Sequence, residues 1–341
     1  TGAGVVIAQF FGAGDLSKMK KAIHNSIALT LVIGVVLTVI GLVFNDPILK
    51  AIGVPNDVFS EASTYLSIYF WSLIFVMIYN MGSGILRSVG DSKRPLYFLI
   101  FSSIINIVLD FLFVKNFGFG VAGAGYATLI AQAISAIMVM YVLMKTEDSY
   151  KVVLKDIKFD KEILLKIIKI GLPTGFQQSI VSLSNVIVQS YINVYGASVI
   201  AGYSVTIKID GFVNLPLQAF NMAITTFVGQ NIGAKQYNRV KKGAYITTFL
   251  AIGFFVVIMY FFGRDFIALF NQEKDVIDAG RLMQLTFLPF YIFLPINQVI
   301  NGVLRGAGRS AVPMYVMIFS FVFLRQIYLF LVTKVTSDVV Y

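Results

Sequence analysis

Residues 84–95 read Gly-Ile-Leu-Arg-Ser-Val-Gly-Asp-Ser-Lys-Arg-Pro, and this stretch decides how the chain is organised. It returns at residues 302–313 as Gly-Val-Leu-Arg-Gly-Ala-Gly-Arg-Ser-Ala-Val-Pro. Extended to residue 102, the two copies share ten identities, where chance predicts about one. A repeat of this length indicates two copies of one structural unit.

A second set of residues recurs in the same order and with constant spacing, which supports the duplication. The residues that recur are Gln9, Gly12, Ala13, Lys20 and Lys21, which return as Gln230, Gly233, Ala234, Lys241 and Lys242.

Composition places the chain in a membrane. Hydrophobic residues make up 57% of the 341 residues, charged residues only 13%, and the mean hydropathy is +0.82; soluble proteins carry about 25% charged residues. There is no cysteine, and the single histidine, His24, is interpreted as an interfacial residue beside Lys20 and Lys21. No metalloprotease, hydrolase or acid-rich Mg²⁺ motif is present, so we expect no enzyme, no metal and no cofactor.

Apolar stretches long enough to cross a bilayer, about 20 residues each, recur along the chain. They lie near 1–11 (the tail of one), 22–44, 62–86, 95–114, 122–144, 168–195, 200–229, 243–262, 282–304 and 313–333. Breaks are predicted at 45–47, 53–56, 116–118 and 263–265.

The basic residues are unevenly distributed between alternate loops. One set of loops (12–21, 87–94, 145–169, 235–242 and 305–309) holds 19 of the 27 Lys and Arg residues. By the positive-inside rule this set is cytoplasmic. The net charge of +10 is therefore explained by topology and contact with anionic lipid, and no nucleic-acid partner is expected.

Six spans separate the two copies of the opening stretch, so both copies face the cytoplasm and the repeats are parallel. The predicted fold is an all-α polytopic membrane protein with two pseudo-symmetric lobes, six helices each when complete, around a central cavity. We predict an N-terminal lobe at 1–145 that starts within its second helix, a cytoplasmic connector at 146–162, and a C-terminal lobe at 163–341 whose sixth helix is missing.

Charged groups inside a bilayer are costly and are candidates for function. Asp210 lies within the 200–229 span, with Asn214 one turn later and Lys208 on another face, and Gly211 and Pro216 are expected to loosen that helix. A buried structural ion pair is the alternative role for Asp210. Asp110, with Asn106 one turn earlier, is either a pathway site or an interfacial polar cluster.

Amide side chains suit a wet cavity or contacts between helices. Gln177 and Gln178 form part of a polar stripe after residue 173, and Asn80 and Gln298 occupy equivalent positions in the repeat. Arg87 and Arg305 are candidates for gating at cytoplasmic helix ends, with anchoring by snorkelling as the alternative.

Residues 118–123 spell Gly-Phe-Gly-Val-Ala-Gly, which matches a dinucleotide fingerprint by letters alone. Since the stretch opens a membrane helix and no acid follows about 20 residues later, we interpret Gly123, Ala124, Gly125, Ala127 and Thr128 as a helix-packing strip.

Taken together, these stretches resemble the multidrug and toxic compound extrusion (MATE) family of secondary transporters. The resemblance rests on residues 1–9 with Gly12 and Ala13, 84–95, Asn106–Asp110, 121–128, Gly171–Pro173 and 227–234. It implies exchange of inward H⁺ or Na⁺ for outward, usually cationic, amphipathic drugs by alternating access. Localisation would be the plasma membrane, and the oligomeric state is left open.

Two departures bear on the coupling ion. The first-helix acid that the family commonly uses would precede Thr1, and the pseudo-symmetric position in the second lobe is near Ser184, which cannot titrate. Sodium-coupled members also carry a second-lobe acid where this chain has Leu294, and no acid occurs from 282 to 304.

Three other functions are weighed against drug efflux. A flippase for lipid-linked saccharides would need several inward-facing cations, whereas the spans offer only Lys208 and Arg325 against Asp110 and Asp210. A membrane-embedded enzyme lacks its acidic motifs, and a structural bundle would lack a wet cavity.

Overall fold

A computed structural model describes residues 1–192, 197–270, 277, 281–282, 285 and 288–335. Side chains at 192, 197–210, 212–213, 269–270 and 332–335 lie outside the described set. Within the described ranges the secondary structure is helical and contains no strand. The chain divides into two compact units, one from Ala3 to Ile167 and one from Ile168 onward.

The first unit is built from six α-helices. In chain order they are α1 (Gly2–Gly12), α2 (Leu16–Val43), α3 (Asn45–Ala51), α4 (Phe59–Ser88), α5 (Lys93–Asp110, continued by a π-helical turn Phe111–Asn116) and α6 (Gly120–Lys145). A connector with a short 3₁₀ turn, Leu154–Asp156, follows.

The second unit holds the remaining helices of the described ranges. They are α7 (Lys161–Ile192, which begins in the first unit), α8 (Ala197–Gly233), α9 (Tyr237–Phe270), α10 (Phe293–Gly306), α11 (Ala311–Met317, continued by a π-helical turn Ile318–Leu324) and α12 (Arg325–Val335).

The helix ends repeat in the same register as the sequence. When Gln9 is aligned with Gln230, the end of α1 matches the end of α8, and the start of α2 matches the start of α9. When Gly84 is aligned with Gly302, the ends of α4 and α10 match, as do the starts of α5 and α11. The connecting turns also match, because Gly90 and Gly308 both have positive φ, at 97° and 77°. The duplication is therefore structural.

Six helical stretches of the described chain are long and apolar enough to cross a membrane: Leu16–Val43, Phe59–Ser88, Lys93–Asn116, Gly120–Lys145, Tyr237–Ala268 and Ala311–Leu331. Large apolar side chains remain exposed along them, such as Phe249 at 75% and Tyr97 at 61%. Such surfaces are stable only in lipid. The chain is a multi-pass membrane protein.

One predicted break is displaced and another is wrong. The break expected at 45–47 lies at Phe44, and α3 begins at Asn45 with Pro47 in its first turn, where a missing N–H leaves no helical hydrogen bond unmade. Helix α9 runs through Gly263 to Phe270; a single glycine costs only about 1 kcal/mol in a helix, and a long helix in lipid tolerates it. Pro216 likewise lies inside an unbroken α8.

The small residues at the start of α6 pack closely against neighbouring helices. A Cβ on Gly125 would lie 3.2 Å from Ile68 of α4, and Gly123 and Ala127 are buried. These contacts confirm the packing strip.

The connector is fastened to α2 by the histidine. The Val153 N–H donates to His24 Nε2 at 3.0 Å, and His24 Nδ1 lies 2.7 Å from the Lys20 carbonyl oxygen. Because a backbone N–H can only donate, Nε2 is the acceptor and Nδ1 carries the proton of a neutral imidazole. His24 is 5% exposed, so its side chain is buried between α2 and the connector.

Candidate functional site

A buried arginine ties three helices of the second unit together. Arg305, in the last turn of α10, is 9% exposed. Its Nη2 donates to Gln177 Oε1 of α7 at 3.2 Å, and its Nη1 donates to Asn221 Oδ1 of α8 at 3.1 Å. The Asn221 amide in turn donates to the Gln298 carbonyl oxygen at 2.6 Å. We name these four residues the Arg305 cluster.

The charge of Arg305 is balanced by amide dipoles. Across the described residues, no carboxylate lies within ion-pair distance of its guanidinium, and its buried Nε has no hydrogen-bond partner. A buried cation is normally paired or fully hydrogen-bonded. The cluster is thus a fixed positive charge that depends on the packing of α7, α8 and α10.

Arg305 does not anchor the chain by snorkelling, because its donors are turned into the protein. Gln177 and Gln298, interpreted from sequence as cavity residues, lie with Arg305 in one network. Asn221 was missed, although its place seven residues after Asn214 puts both on one helical face.

Arg87, the counterpart of Arg305 in the repeat, has different surroundings. It is half-buried in the last turn of α4.

A second candidate lies where α5 passes into its π-helical turn. Asn106 Nδ2 and Asp110 Oδ1 are both buried and have no hydrogen-bond partner within the described part of the chain. The two residues are one helical turn apart, so an unpaired donor and an unpaired acceptor face similar directions. Burial of these atoms argues against a solvated interfacial cluster. A water molecule between them would accept from Asn106 Nδ2 and donate to Asp110 Oδ1, and a small cation would be coordinated by the Asp110 oxygen. π-Helical turns of this kind are frequent at functional sites.

Other predicted residues are dispersed. Asn80 is exposed and donates to the Val76 carbonyl oxygen of its own helix at 2.9 Å, and Gln178 is exposed on α7. Asn80 and Gln298, which occupy equivalent positions in the repeat, therefore have different surroundings, since Gln298 belongs to the Arg305 cluster.

Helix α8 carries the remaining candidates. Asn214 is partly buried and has a bonding partner. Asp210 and Lys208 belong to α8, but their side chains lie outside the described residues. Their roles stay predictions.

Arg325 provides another tie between helices of the second unit. Its Nη1 donates to Asn185 Oδ1 at 2.9 Å and to Ser184 Oγ at 3.2 Å on α7. Ser184, expected from the repeat to replace a titrating acid, thus serves as a hydrogen-bonding hydroxyl.

Comparison with known families identifies these two repeated helical units. The family described as MatE matches residues 1–112 and 173–331. The chain belongs to the MatE family. The residues between the two matched ranges, 113–172, include the connector that contacts His24.

Named relatives agree with this assignment. The chain is 31% identical to "Probable multidrug resistance protein YoeA" of Bacillus subtilis (strain 168) over 94% of this chain and 71% of that protein. It is 25% identical to "Multidrug export protein MepA" of Staphylococcus aureus (strain MW2), over 93% of this chain and 71% of that protein.

Solved structures show the same fold. A crystal structure of MATE in the bent conformation matches with a TM-score of 0.86 and 25% identity, over 94% of this MatE chain and 72% of that chain. An outward-facing multidrug resistance MATE family transporter matches with a TM-score of 0.86 and 24% identity, over 94% of this chain and 73% of that chain.

Proposed function

We propose that this MatE protein is a secondary active efflux transporter that exchanges H⁺ or Na⁺ for amphipathic, cationic drug-like molecules by alternating access in the plasma membrane. Family membership supports the transport of drug-like molecules, since relatives carry the names multidrug resistance and multidrug export proteins. The site for the coupling ion must be argued from the residues of this chain.

The observation that carries the coupling proposal is the unpaired pair on α5. Asp110 offers a buried carboxylate oxygen and Asn106 a buried amide, neither with a partner among the described residues. An anionic group in a low-dielectric environment gains stability from a proton or Na⁺. Binding there would stabilise one orientation of the lobes, and the drug would stabilise the other.

Asp110→Asn is the direct test, because asparagine keeps the shape of the side chain and removes the charge. We expect ethidium efflux by cells to fall at least tenfold and to lose its dependence on an imposed pH or Na⁺ gradient. Asp57→Asn, at an exposed residue outside the spans, is the control and should transport normally. Unchanged gradient dependence in Asp110→Asn would place coupling elsewhere, with Asp210 next.

Asp210→Asn belongs to the same series. If Asp210 supplies negative charge for a cationic drug, the variant loses efflux of ethidium while keeping transport of a neutral substrate. Equal loss for both substrates would assign Asp210 to structure or coupling.

The flippase alternative is less well supported. An anionic pyrophosphate needs several available cationic donors. Arg305 and Arg325 already donate to amide and hydroxyl oxygens.

A further inference from the structure

A groove opens between α8 and α9 of the second unit. It has a volume of about 350 Å³ and is lined by Phe227 of α8 and, along the first turns of α9, by Arg239, Lys242, Gly243, Ile246 and Thr247. A Cβ on Gly243 would collide with the Phe227 ring, so glycine there shapes the floor. We name this feature the α8–α9 groove.

Its two cations are exposed and are not neutralised within the described residues. No described carboxylate lies within ion-pair distance of Arg239 or Lys242. The groove also has an apolar side formed by Phe227 and Ile246, and Ile246 is 59% exposed. The groove therefore combines positive charge with apolar surface.

The first unit shows the same two positions of the repeat when their cations are paired with carboxylates. In the register that aligns Gln9 with Gln230, Lys18 and Lys21 correspond to Arg239 and Lys242. Lys18 pairs with Asp15 at 3.2 Å, and Lys21 pairs with Asp160 of the connector at 3.5 Å. Both cations of the first unit thus face carboxylates.

The connector completes the cover in the first unit. Asn25, which corresponds to Ile246, donates from Nδ2 to the Asp160 carbonyl oxygen at 2.7 Å. This face of α2 is therefore occupied by polypeptide.

In the described part of the second unit the cations are kept, but the residues that pair or hydrogen-bond with this face in the first unit have different counterparts. Asp15 corresponds to Gln236, and the hydrogen-bonding Asn25 corresponds to Ile246. A polypeptide segment like the connector would leave its backbone polar groups against isoleucine, which is costly. A ligand with an anionic head and an apolar body fits both halves of the groove.

The position along α9 points to lipid. Tyr237–Ala268 is long enough to cross the bilayer, so its first turns lie at the headgroup level. The charge bias places this end on the cytoplasmic side, where anionic lipids attract basic residues. Tyr245 and Phe249 are exposed beside the groove, at 69% and 75%.

We infer that the α8–α9 groove is a binding site for an anionic phospholipid, with its phosphate between Arg239 and Lys242 and its acyl chain starting along Phe227 and Ile246. The chemistry recognised is a phosphate joined to an apolar chain. This site is independent of the proposed transport function.

The test measures lipid binding to the purified protein by native mass spectrometry, with phosphatidylglycerol and phosphatidylcholine of identical acyl chains. We expect wild-type protein to retain phosphatidylglycerol selectively. Arg239→Gln/Lys242→Gln should lower that affinity roughly 30-fold, since each cation near a membrane surface contributes about 1 kcal/mol. The matched control is Lys18→Gln/Lys21→Gln, which removes the equivalent but already neutralised cations and should bind as wild type.

A second variant separates the apolar half of the site from the charged half. Ile246→Asn restores the residue of the first unit and should weaken binding of phosphatidylglycerol but not of inorganic phosphate. Equal binding by the double variant and its control would overturn the proposal. So would equal affinity for phosphatidylglycerol and inorganic phosphate, which indicates a simple anion site, or displacement of lipid by a peptide of residues 146–162, which indicates a protein segment.

Discussion

Ser88 Oγ of α4 donates a hydrogen bond to the carbonyl oxygen of Gly4 of α1 at 2.9 Å. At the equivalent crossing of the second unit, Thr225 Oγ1 of α8 donates to the carbonyl oxygen of Gly302 of α10 at 3.2 Å. In the repeat, Thr225 corresponds to Gly4, and Gly306 corresponds to Ser88. The hydroxyl donor thus lies on α4 in the first unit and on α8 in the second, and in both units a glycine faces it across the helix crossing.

The two motif glycines at this crossing are unequal, although they hold the same place in the repeat. A Cβ on Gly302 would collide with Ile224 and lie 2.8 Å from the Asn221 carbonyl oxygen, whereas nothing lies within 4 Å of a Cβ on Gly84. Gly302→Ala should destabilise the protein by about 1–3 kcal/mol through overpacking. Gly84→Ala should be neutral or stabilise by up to about 1 kcal/mol through helix propensity. Thermal unfolding in detergent measures both, and equal midpoints for the pair would contradict the packing described.

Arg305→Lys should show how strongly the stability of the Arg305 cluster depends on the planar guanidinium group with its two donors. Lysine cannot reach Gln177 and Asn221 with the same two-pronged geometry, so one buried amide oxygen loses its donor. We expect a cost of about 1–3 kcal/mol. Arg87→Lys is the matched control and should cost less, because Arg87 is only half-buried. The readout is again the thermal midpoint, and a larger loss for Arg87→Lys would show that the cluster adds little.

Asp160 should make connector docking sensitive to acid. The backbone N–H of Ile163, assisted by the charge of Lys21, lowers the pKa of Asp160 from its ordinary value of 3.8. A carboxyl whose pKa is lower in the folded state stabilises the fold above its unfolded pKa and loses that contribution as the pH falls through the folded pKa. Wild-type docking should therefore be constant near neutral pH and weaken only below pH 3.8.

The matching measurement is limited proteolysis of the connector across a pH series. Asp160→Asn should be cleaved faster than wild type at neutral pH, and the two should converge at the acid end, which requires an acid-tolerant protease. Asp156→Asn changes an exposed carboxyl of the same segment and should behave as wild type throughout. A difference between Asp160→Asn and wild type that grows with acid would have the wrong sign for this interpretation.

His24→Ala should loosen the connector without affecting the helices. The Val153 N–H would lose its acceptor, so its hydrogen exchange should accelerate about tenfold or more, in line with a hydrogen bond worth about 1.5 kcal/mol. His24→Gln, whose side-chain oxygen can accept, should show a smaller increase. Exchange that is identical in all three proteins would mean that the fold alone positions the connector.

The repeat, several helix ends and the membrane class could be predicted from sequence because each depends on local signals. The turn at Gly90 lies in the loop predicted at 87–94, and α5 begins at Lys93, two residues before the predicted start of the span at 95. Arg305 could not be told apart from Arg87 in this way. Its burial depends on Gln177 and Asn221, which lie 128 and 84 residues away in the chain.

The same limit applies to His24 and Gly263. The hydrogen bond between His24 and Val153 could not be predicted because 129 residues separate them in the chain. A helix break was predicted at Gly263 because glycine is a poor helix former, but the helix continues on both sides of it.

The turn before α9 has a consequence for engineering. Lys235 adopts φ 57° where its counterpart in the first unit, Gly14, adopts φ 70°. The same backbone bend is thus made by the residue best suited to it in one lobe and by a strained one in the other, at a cost of about 1–2 kcal/mol. The shape of the turn is imposed by the helices that it joins. Replacing Lys235 by glycine, the residue at the equivalent turn of the first unit, should therefore relieve this strain.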